Sequence, residues 1–331
     1  MLEDYKFVLS PRGGGEDCHR TWEALYTGVI PIVKKSSIDE LYENLPVLVV
    51  KDWDEINEDL LNKTWQEYNK RKWNLEKLTL RYWVEKIIGK KNHFITYANN
   101  KFEKAKKRII SEANNFGTFK SVAGYGPKDL DREFTEKFNH ILSQPRIGGY
   151  GIWRPYIIKK ELEKLNNGDL LFYIDAGCTL NKQGKKRFNE YINLLNNSQY
   201  GIISFQMKDQ KEKYWTNKEI FNYFDVDIES DIGNSGQYLD GILLMKKGKH
   251  LEKIIDLWLK AVYDQPDMFT DKYNKEQKFF FKDNRHEQSV FSLIRKIYGS
   301  EIIVGDETFH PQPFGCEESL KYPIWATRKT D

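Results

Sequence analysis

The stretch Gly168-Asp169-Leu170-Leu171-Phe172-Tyr173-Ile174-Asp175-Ala176-Gly177-Cys178 decides how the chain reads. A glycine turn leads into five consecutive apolar residues, which end in a carboxylate followed by small residues. An unbroken apolar run of this length predicts a strand buried on both faces of a parallel or mixed sheet, since a half-exposed strand would alternate apolar with polar. Open α/β sheets bind ligands beyond the carboxyl ends of such strands, which puts Asp175 at the edge of a candidate site.

Outward from this strand the pattern alternates. Strands are expected at 93–98, 119–123, 201–206, 242–245 and 301–304. Between them helices are expected over 102–114, 131–142, 155–165 (Pro155 at its first position), 185–196, 216–224 (capped by Thr216), 249–263 and 286–298. That alternation implies α/β layering around a mixed, mostly parallel sheet flanked by helices, without an internal repeat. The basic stretch Gly89-Lys90-Lys91-Asn92 marks a boundary between a segment at 1–90 and a domain at 91–331. Before the boundary, strands at 5–9, 30–33 and 47–50 enclose a helix bearing Trp22, Leu25, Tyr26 and Val29 on one face, with Asp17 as its cap. These elements form a truncated Rossmann-like half domain, and 52–90 reads as helical.

The formal net charge is only +3 over 331 residues, with Lys and Arg scattered among Asp and Glu, so composition carries no nucleic-acid signal. Cys18, Cys178 and Cys316 are odd in number and far apart, which predicts a reducing, cytoplasmic compartment rather than a disulfide framework. There is no signal peptide and no apolar run near the ~18 residues of a membrane span.

Two groups of residues invite chemistry. Arg12 with Gly13, Gly14 and Gly15 lies at an expected helix start, where backbone N–H groups and the helix dipole favour a diphosphate; a mobile surface loop is the other reading. The spacing matches neither G-x-x-x-x-G-K-[ST] nor G-x-G-x-x-G, which removes the best support for a nucleotide hydrolase or a dehydrogenase. Glu23 could bond ribose hydroxyls or pair with Arg20. The run from Ser10-Pro11-Arg12-Gly13 through Asp17–Tyr26 to Gly28-Val29-Ile30-Pro31 resembles the donor half of exostosin-like GT-B glycosyltransferases over roughly the first 55 residues. This resemblance implies a second nucleotide-like site in which Arg12, Gly13, Gly14 and Glu23 face a nucleotide-sugar.

The opening strand resembles the Asp-x-Asp strand of GT-A glycosyltransferases. It is accompanied in order by Trp153-Arg154-Pro155-Tyr156, Asp240-Gly241-Ile242-Leu243-Leu244-Met245 and Arg285-His286-Glu287-Gln288-Ser289-Val290-Phe291. Together these look like a bacterial and viral group of GT-A-like transferases over about 93–331. The resemblance implies a nucleotide-sugar donor held by Trp153, Arg154, Asp175, Gly177 and Gly241. It also implies a divalent cation, Mn²⁺ or Mg²⁺, held by Asp175 and by His310, for which a structural histidine is the other reading. Such a cation would neutralise the leaving diphosphate through oxygen ligands, but Gly177 and Cys178 stand where the second acid is expected. Asp240 suits sugar hydroxyls or serves as a turn residue, while His286 and Glu287 could touch the sugar, act as a base, or cap their helix. Arg154 binds diphosphate or base, or is solvated. Trp215 and Trp325 are candidate stacking platforms, and Phe279-Phe280-Phe281 reads as core or lid packing. The expected function is transfer of a sugar from the nucleotide-sugar to a glycan acceptor hydroxyl in glycan synthesis. The alternatives are a non-catalytic carbohydrate- or nucleotide-binding module and a scaffold.

Overall fold

The computed structural model describes residues 4–73, 75–80, 82–83, 91–273, 276–309 and 312–331. They belong to two compact units, Met1–Gly89 and Lys90–Asp331.

In the first unit, β1 (Phe7–Leu9), β2 (Ile30–Lys34) and β3 (Leu48–Val50) form a parallel three-stranded sheet in that order. Helix α1 (His19–Tyr26) connects β1 to β2, and its Leu25 packs with Val33, Tyr42, Leu45 and Val47 on one face. On the other face Ile30, Ile32, Leu48 and Val50 meet Leu60, Leu61 and Trp65 of α2 (Glu58–Lys70). The expected helix over 52–90 is therefore interrupted. Asn57 caps a new start by accepting from the Leu60 amide, and Arg71 turns extended while the Trp73 indole donates to the Tyr68 carbonyl at 3.0 Å. A 3-10 turn follows at Leu75–Leu78, and residues 84–90 lie outside the described residues.

The second unit is built on the opening stretch. Its elements are β4 (Asn92–Tyr97), α3 (Glu103–Phe116), β5 (Ser121–Tyr125), α4 (Arg132–Leu142), α5 (Trp153–Leu162), β6 (Leu170–Ile174), β7 (Thr179–Leu180), α6 (Lys185–Asn197), β8 (Ile202–Lys211), β9 (Gly236–Tyr238), β10 (Ile242–Lys246), α7 (Lys249–Asp264), α8 (Glu287–Tyr298), β11 (Glu301–Val304) and β12 (Ile324–Trp325). The main sheet has the order β11-β8-β10-β6-β4-β5, with β9 pairing β8. The pairings make β4, β5, β6, β8 and β11 run one way and β9 and β10 the other. The sheet is thus mixed and mostly parallel. Along β6 the side chains alternate between two apolar layers. Leu171 and Tyr173 enter the core under α4, α5, α7 and α8, while Leu170, Phe172 and Ile174 enter the one under α3 and α6. Both faces are dry, so every position is apolar.

Several helix bounds differ from expectation, and in two helices the reason is visible. Helix α5 starts at Trp153, so Pro155 is its third residue, still inside the turn whose N–H groups lack helical partners. It ends at Leu162 rather than Leu165. The helix expected from Thr216 is Lys218–Tyr223, capped by the Asn217 side chain, because the Thr216 hydroxyl is bonded to buried Glu212 instead. Ahead of α5, Ile147, Gly148, Gly149, Tyr150 and Gly151 all have positive φ. Gly149 is required there, as a Cβ would lie 2.6 Å from Leu142 Cα.

Candidate functional site

Strand β6 runs toward the site and β10 runs away from it, with Ile174 opposite Ile242. This antiparallel register sets the carboxyl end of one beside the amino end of the other, so Asp175 meets Asp240 and Gly241. Tyr173, two residues before Asp175 and on the same face, donates its hydroxyl to Asp175 Oδ1 at 2.6 Å.

Arg154, in the first turn of α5, is the hub. Its guanidinium donates to Asp240 Oδ2 at 2.5 Å, Glu287 Oε1 at 2.6 Å and Asp175 Oδ1 at 3.0 Å. It is 2% exposed, which rules out the solvated reading. Burial pulls its pKa down, but Asp240 and the other surrounding groups push it well above the ordinary value. One cation serves three acids, and two of them are buried with it. Burial raises the pKa of Glu287 well above the carboxylate range and also raises that of Asp240, with Arg154 opposing both.

The Asp175 side chain is 42% exposed and opens onto a cleft of about 1010 Å³. The cleft is lined by the ends of β4, β6, β8 and β10, the start of α8 and the C-terminal segment. Trp153, Arg154, Asp175, Gly177, Asp240, Gly241, His286 and Glu287 all line it. His286 is 1% exposed and has φ +57°. Its Nδ1 bonds the Phe269 carbonyl at 2.8 Å, which makes that nitrogen the N–H and leaves Nε2 as an acceptor without a hydrogen-bond partner among the described residues. Burial lowers its pKa to about 4, so the ring is neutral at physiological pH. Among the described residues three more of the lining carry a buried polar atom without a hydrogen-bond partner, Asn99 through Oδ1, Arg154 through Nε and Glu287 through Oε2.

The residues around Asp175 fit a chelated cation poorly. Asp175 Oδ1 is already engaged by Arg154 and Tyr173. Gly177 offers no side chain, and burial raises the pKa of the Cys178 thiol, so it stays protonated. Among the described residues no three His, Cys, Asp or Glu side chains converge as a metal site. His310 lies outside the described residues.

Other expected site residues are placed elsewhere. In the first unit α1 begins at His19 with Cys18 as its cap, because Asp17 accepts the Trp22 indole N–H at 2.9 Å instead of capping. Arg12, Gly13 and Gly14 therefore precede the helix by several residues instead of forming its N-terminus. Arg12 donates to the Lys35 carbonyl at 3.1 Å and pairs with Glu16 at 3.3 Å; Gly13 and Gly14 face open space and Glu23 is exposed. Trp325 stacks on Phe314 and donates to the Ser319 carbonyl, and Trp215 is covered by the Arg285 guanidinium at 4.1 Å. Phe279, read as packing, is 97% exposed.

Sequence reasoning missed Tyr173, Asn99, Arg328 and Lys329. Tyr173 carried a signal, being a hydroxyl two residues from Asp175 in a strand. The run Thr327-Arg328-Lys329-Thr330 was not singled out; the pairing of β7 with β12 and the bonds of Thr327 and Lys329 to the Gly177 carbonyl bring it to the cleft.

No protein-family model and no curated protein sequence matches the chain. Among solved structures it is similar to a glycosyltransferase involved in the glycosylation of the major capsid of PBCV-1, at 12% identity, covering 71% of this chain and 92% of that one with a TM-score of 0.38. It is similar to galactosyltransferase LgtC in complex with donor and acceptor sugar analogs (9% identity, 70% and 86% covered, TM-score 0.35). It is also similar to mouse xyloside xylosyltransferase 1 (10% identity, 71% and 97% covered, TM-score 0.37).

Proposed function

We propose that the chain is a glycosyltransferase that moves a sugar from a nucleotide-diphosphate sugar to an acceptor hydroxyl, with its chemistry in the cleft of residues 91–331. The observation that carries this reading is the convergence of three separate stretches on Asp175. Arg154 bonds it directly, Asp240 and Glu287 share that guanidinium, and Gly241 takes its amide hydrogen bond. The partnerless polar atoms of Asn99, His286 and Glu287 suit a polyhydroxylated ligand, since buried polar groups ordinarily find partners.

In this reading Asp175 presents its carboxylate to donor hydroxyls. Arg154 is a positioning residue, fixing Asp175 from below through bonds that Asp240 and Glu287 complete. Trp153, stacked on Tyr97 with ring centroids 3.6 Å apart, holds the start of α5 in place. His286 accepts a hydrogen bond from a sugar hydroxyl through neutral Nε2. No step is assigned to a cation. Residues 1–90 are proposed as a separate, accessory segment.

Asp175→Ala is expected to abolish sugar transfer while the far-UV spectrum and melting temperature stay close to wild type; full turnover in that variant would end the assignment. The second reading, a carbohydrate- or nucleotide-binding module without turnover, is favoured by the deep burial of Asp240 and Glu287. Release of nucleoside diphosphate from a panel of nucleotide-sugars separates the two, because a binder releases none.

A further inference from the structure

Two residues beyond Asp175, where a second acid would stand, the C-terminal segment crosses the chain. The Gly177 carbonyl accepts the Lys329 amide at 2.9 Å and the Thr327 hydroxyl at 2.8 Å. A Cβ on Gly177 would lie 3.2 Å from the Lys329 carbonyl oxygen and 3.3 Å from Arg328 Cα, so a side chain there would press on the segment. The crossing sets Arg328 and Lys329 in the lining of the cleft. Arg328 has φ +56°, a conformation that surrounding structure must impose on it.

Arg285, just before His286, lines the same cleft. Its guanidinium lies over Trp215, and that of Arg328 lies 5.3 Å from the Phe309 ring. The aromatic faces fix both groups without neutralising them. Among the described residues neither arginine has a carboxylate at ion-pair distance, whereas Arg146 beside them is paired with Asp271 at 3.0 Å and Asp283 at 2.5 Å. Burial lowers the pKa of Arg285, Asp283 opposes this, and Arg146 and Arg328 lower it further. The arginines therefore feel one another's charge. The cleft also carries Asp209 and Asp306, and Asp306 Oδ1 accepts from the Thr308 amide and hydroxyl. Like charges gathered in a cleft cost free energy unless an anion joins them.

We propose that Arg285 and Arg328 form a diphosphate subsite, so that guanidinium groups hold the leaving nucleoside diphosphate where the chain has no second acid for a chelated cation. The nature of the anion rests on the glycosyltransferase reading. In the transfer, the bond between the anomeric carbon and the diphosphate oxygen breaks with its electron pair going to that oxygen. The acceptor oxygen bonds the anomeric carbon and releases its proton to solvent. The departing group gains one negative charge, which two forked donors offset.

The test is calorimetric titration of the full chain with inorganic pyrophosphate in EDTA, alongside turnover of a nucleotide-sugar panel. Wild type is expected to bind without a divalent cation. Arg285→Ala and Arg328→Ala should each weaken binding roughly tenfold or more, as lost charge-assisted hydrogen bonds do. The double variant should not bind, and both exposed sites should keep the wild-type melting temperature. Unchanged affinity in the double variant, or wild-type binding only after Mn²⁺ is added, overturns the subsite. If turnover is found while both variants keep wild-type affinity and KM, the transferase reading stands and the subsite falls. If pyrophosphate binds through the two arginines but no nucleotide-sugar is turned over, the subsite stands and the transferase reading falls.

Discussion

Asp175 and Gly241 face each other across β6 and β10. The Asp175 amide donates to the Gly241 carbonyl at 2.8 Å, and a Cβ on Gly241 would lie 2.6 Å from Asp175 Oδ2. The contact is with the tip of a side chain, so Gly241→Ala is expected to spare the fold and displace the carboxylate. Turnover should fall about a hundredfold, the scale of a misplacement near 1 Å, while the melting temperature changes little. Paired assays of rate and thermal melting check this; a wild-type rate in the variant would show that the Asp175 position is immaterial.

His286 makes stability sensitive to acid. Its ring is buried against Tyr150 and the Phe269 carbonyl, with Asp271 3.8 Å from Nε2 and Arg146 opposing protonation. Burial lowers its pKa when folded to about 4, from the ordinary histidine value of 6.5. Between those values the unfolded chain binds the proton and the folded chain does not, so stability is full above the upper value and drains away as pH falls toward the lower one. Urea midpoints from pH 7.5 down to 4.5 should drop more steeply in wild type than in His286→Asn, whose side chain tolerates the positive φ. Equal slopes would show that the ring does not titrate in this window.

Strand β6 was readable because Leu170–Ile174 is apolar at every position, and only a strand covered on both faces permits that. Asp175 was readable as its edge. The hub at Arg154 was not. An arginine at a helix start ordinarily points to water, and its burial depends on the left-handed turn at 147–151 and on β10 running antiparallel to bring Asp240 beside it. The cap of α1 was misjudged for a similar reason, since the carboxylate of Asp17 is claimed by an indole five residues on. Gly177 could be seen to lack a carboxylate, but that backbone from the chain's other end fills the space is a matter of tertiary pairing.

Phe172 shows what the readable part contributes. It is fully buried, with ring centroids 5.0 Å from Phe188 and 5.5 Å from Phe119. Phe172→Ala should cost about 3–5 kcal/mol, the usual range for a large aromatic removed from a packed core. Chemical denaturation measures it, and a loss well under this would mean that the layer under α3 and α6 collapses to fill the gap.

Arg154 separates stability from activity. Replacing it by Met keeps much of the volume but strands Asp240 and Glu287, whose side chains are 6% and 3% exposed; Asp175, at 42%, can turn to water. Breaking a buried pair in this way costs about 3–5 kcal/mol when the remaining acids stay charged. Burial already raises the pKa of both acids and Arg154 opposes it, so its loss lets them rise further. The folded variant then holds protons that the unfolded chain gives up, and its stability must fall as pH rises above the ordinary carboxylate range. Adding Asp240→Asn and Glu287→Gln removes the buried charges and should restore most of the stability and flatten the pH dependence. Turnover should stay lost in this triple variant, because among the described residues only Tyr173 then bonds Asp175 Oδ1. Melting temperatures at pH 5, 7 and 9 with parallel transfer assays read both effects. A single Met variant as stable as wild type at pH 9 would mean that the guanidinium does not neutralise these acids, and an active triple variant would mean that Asp175 needs no anchor.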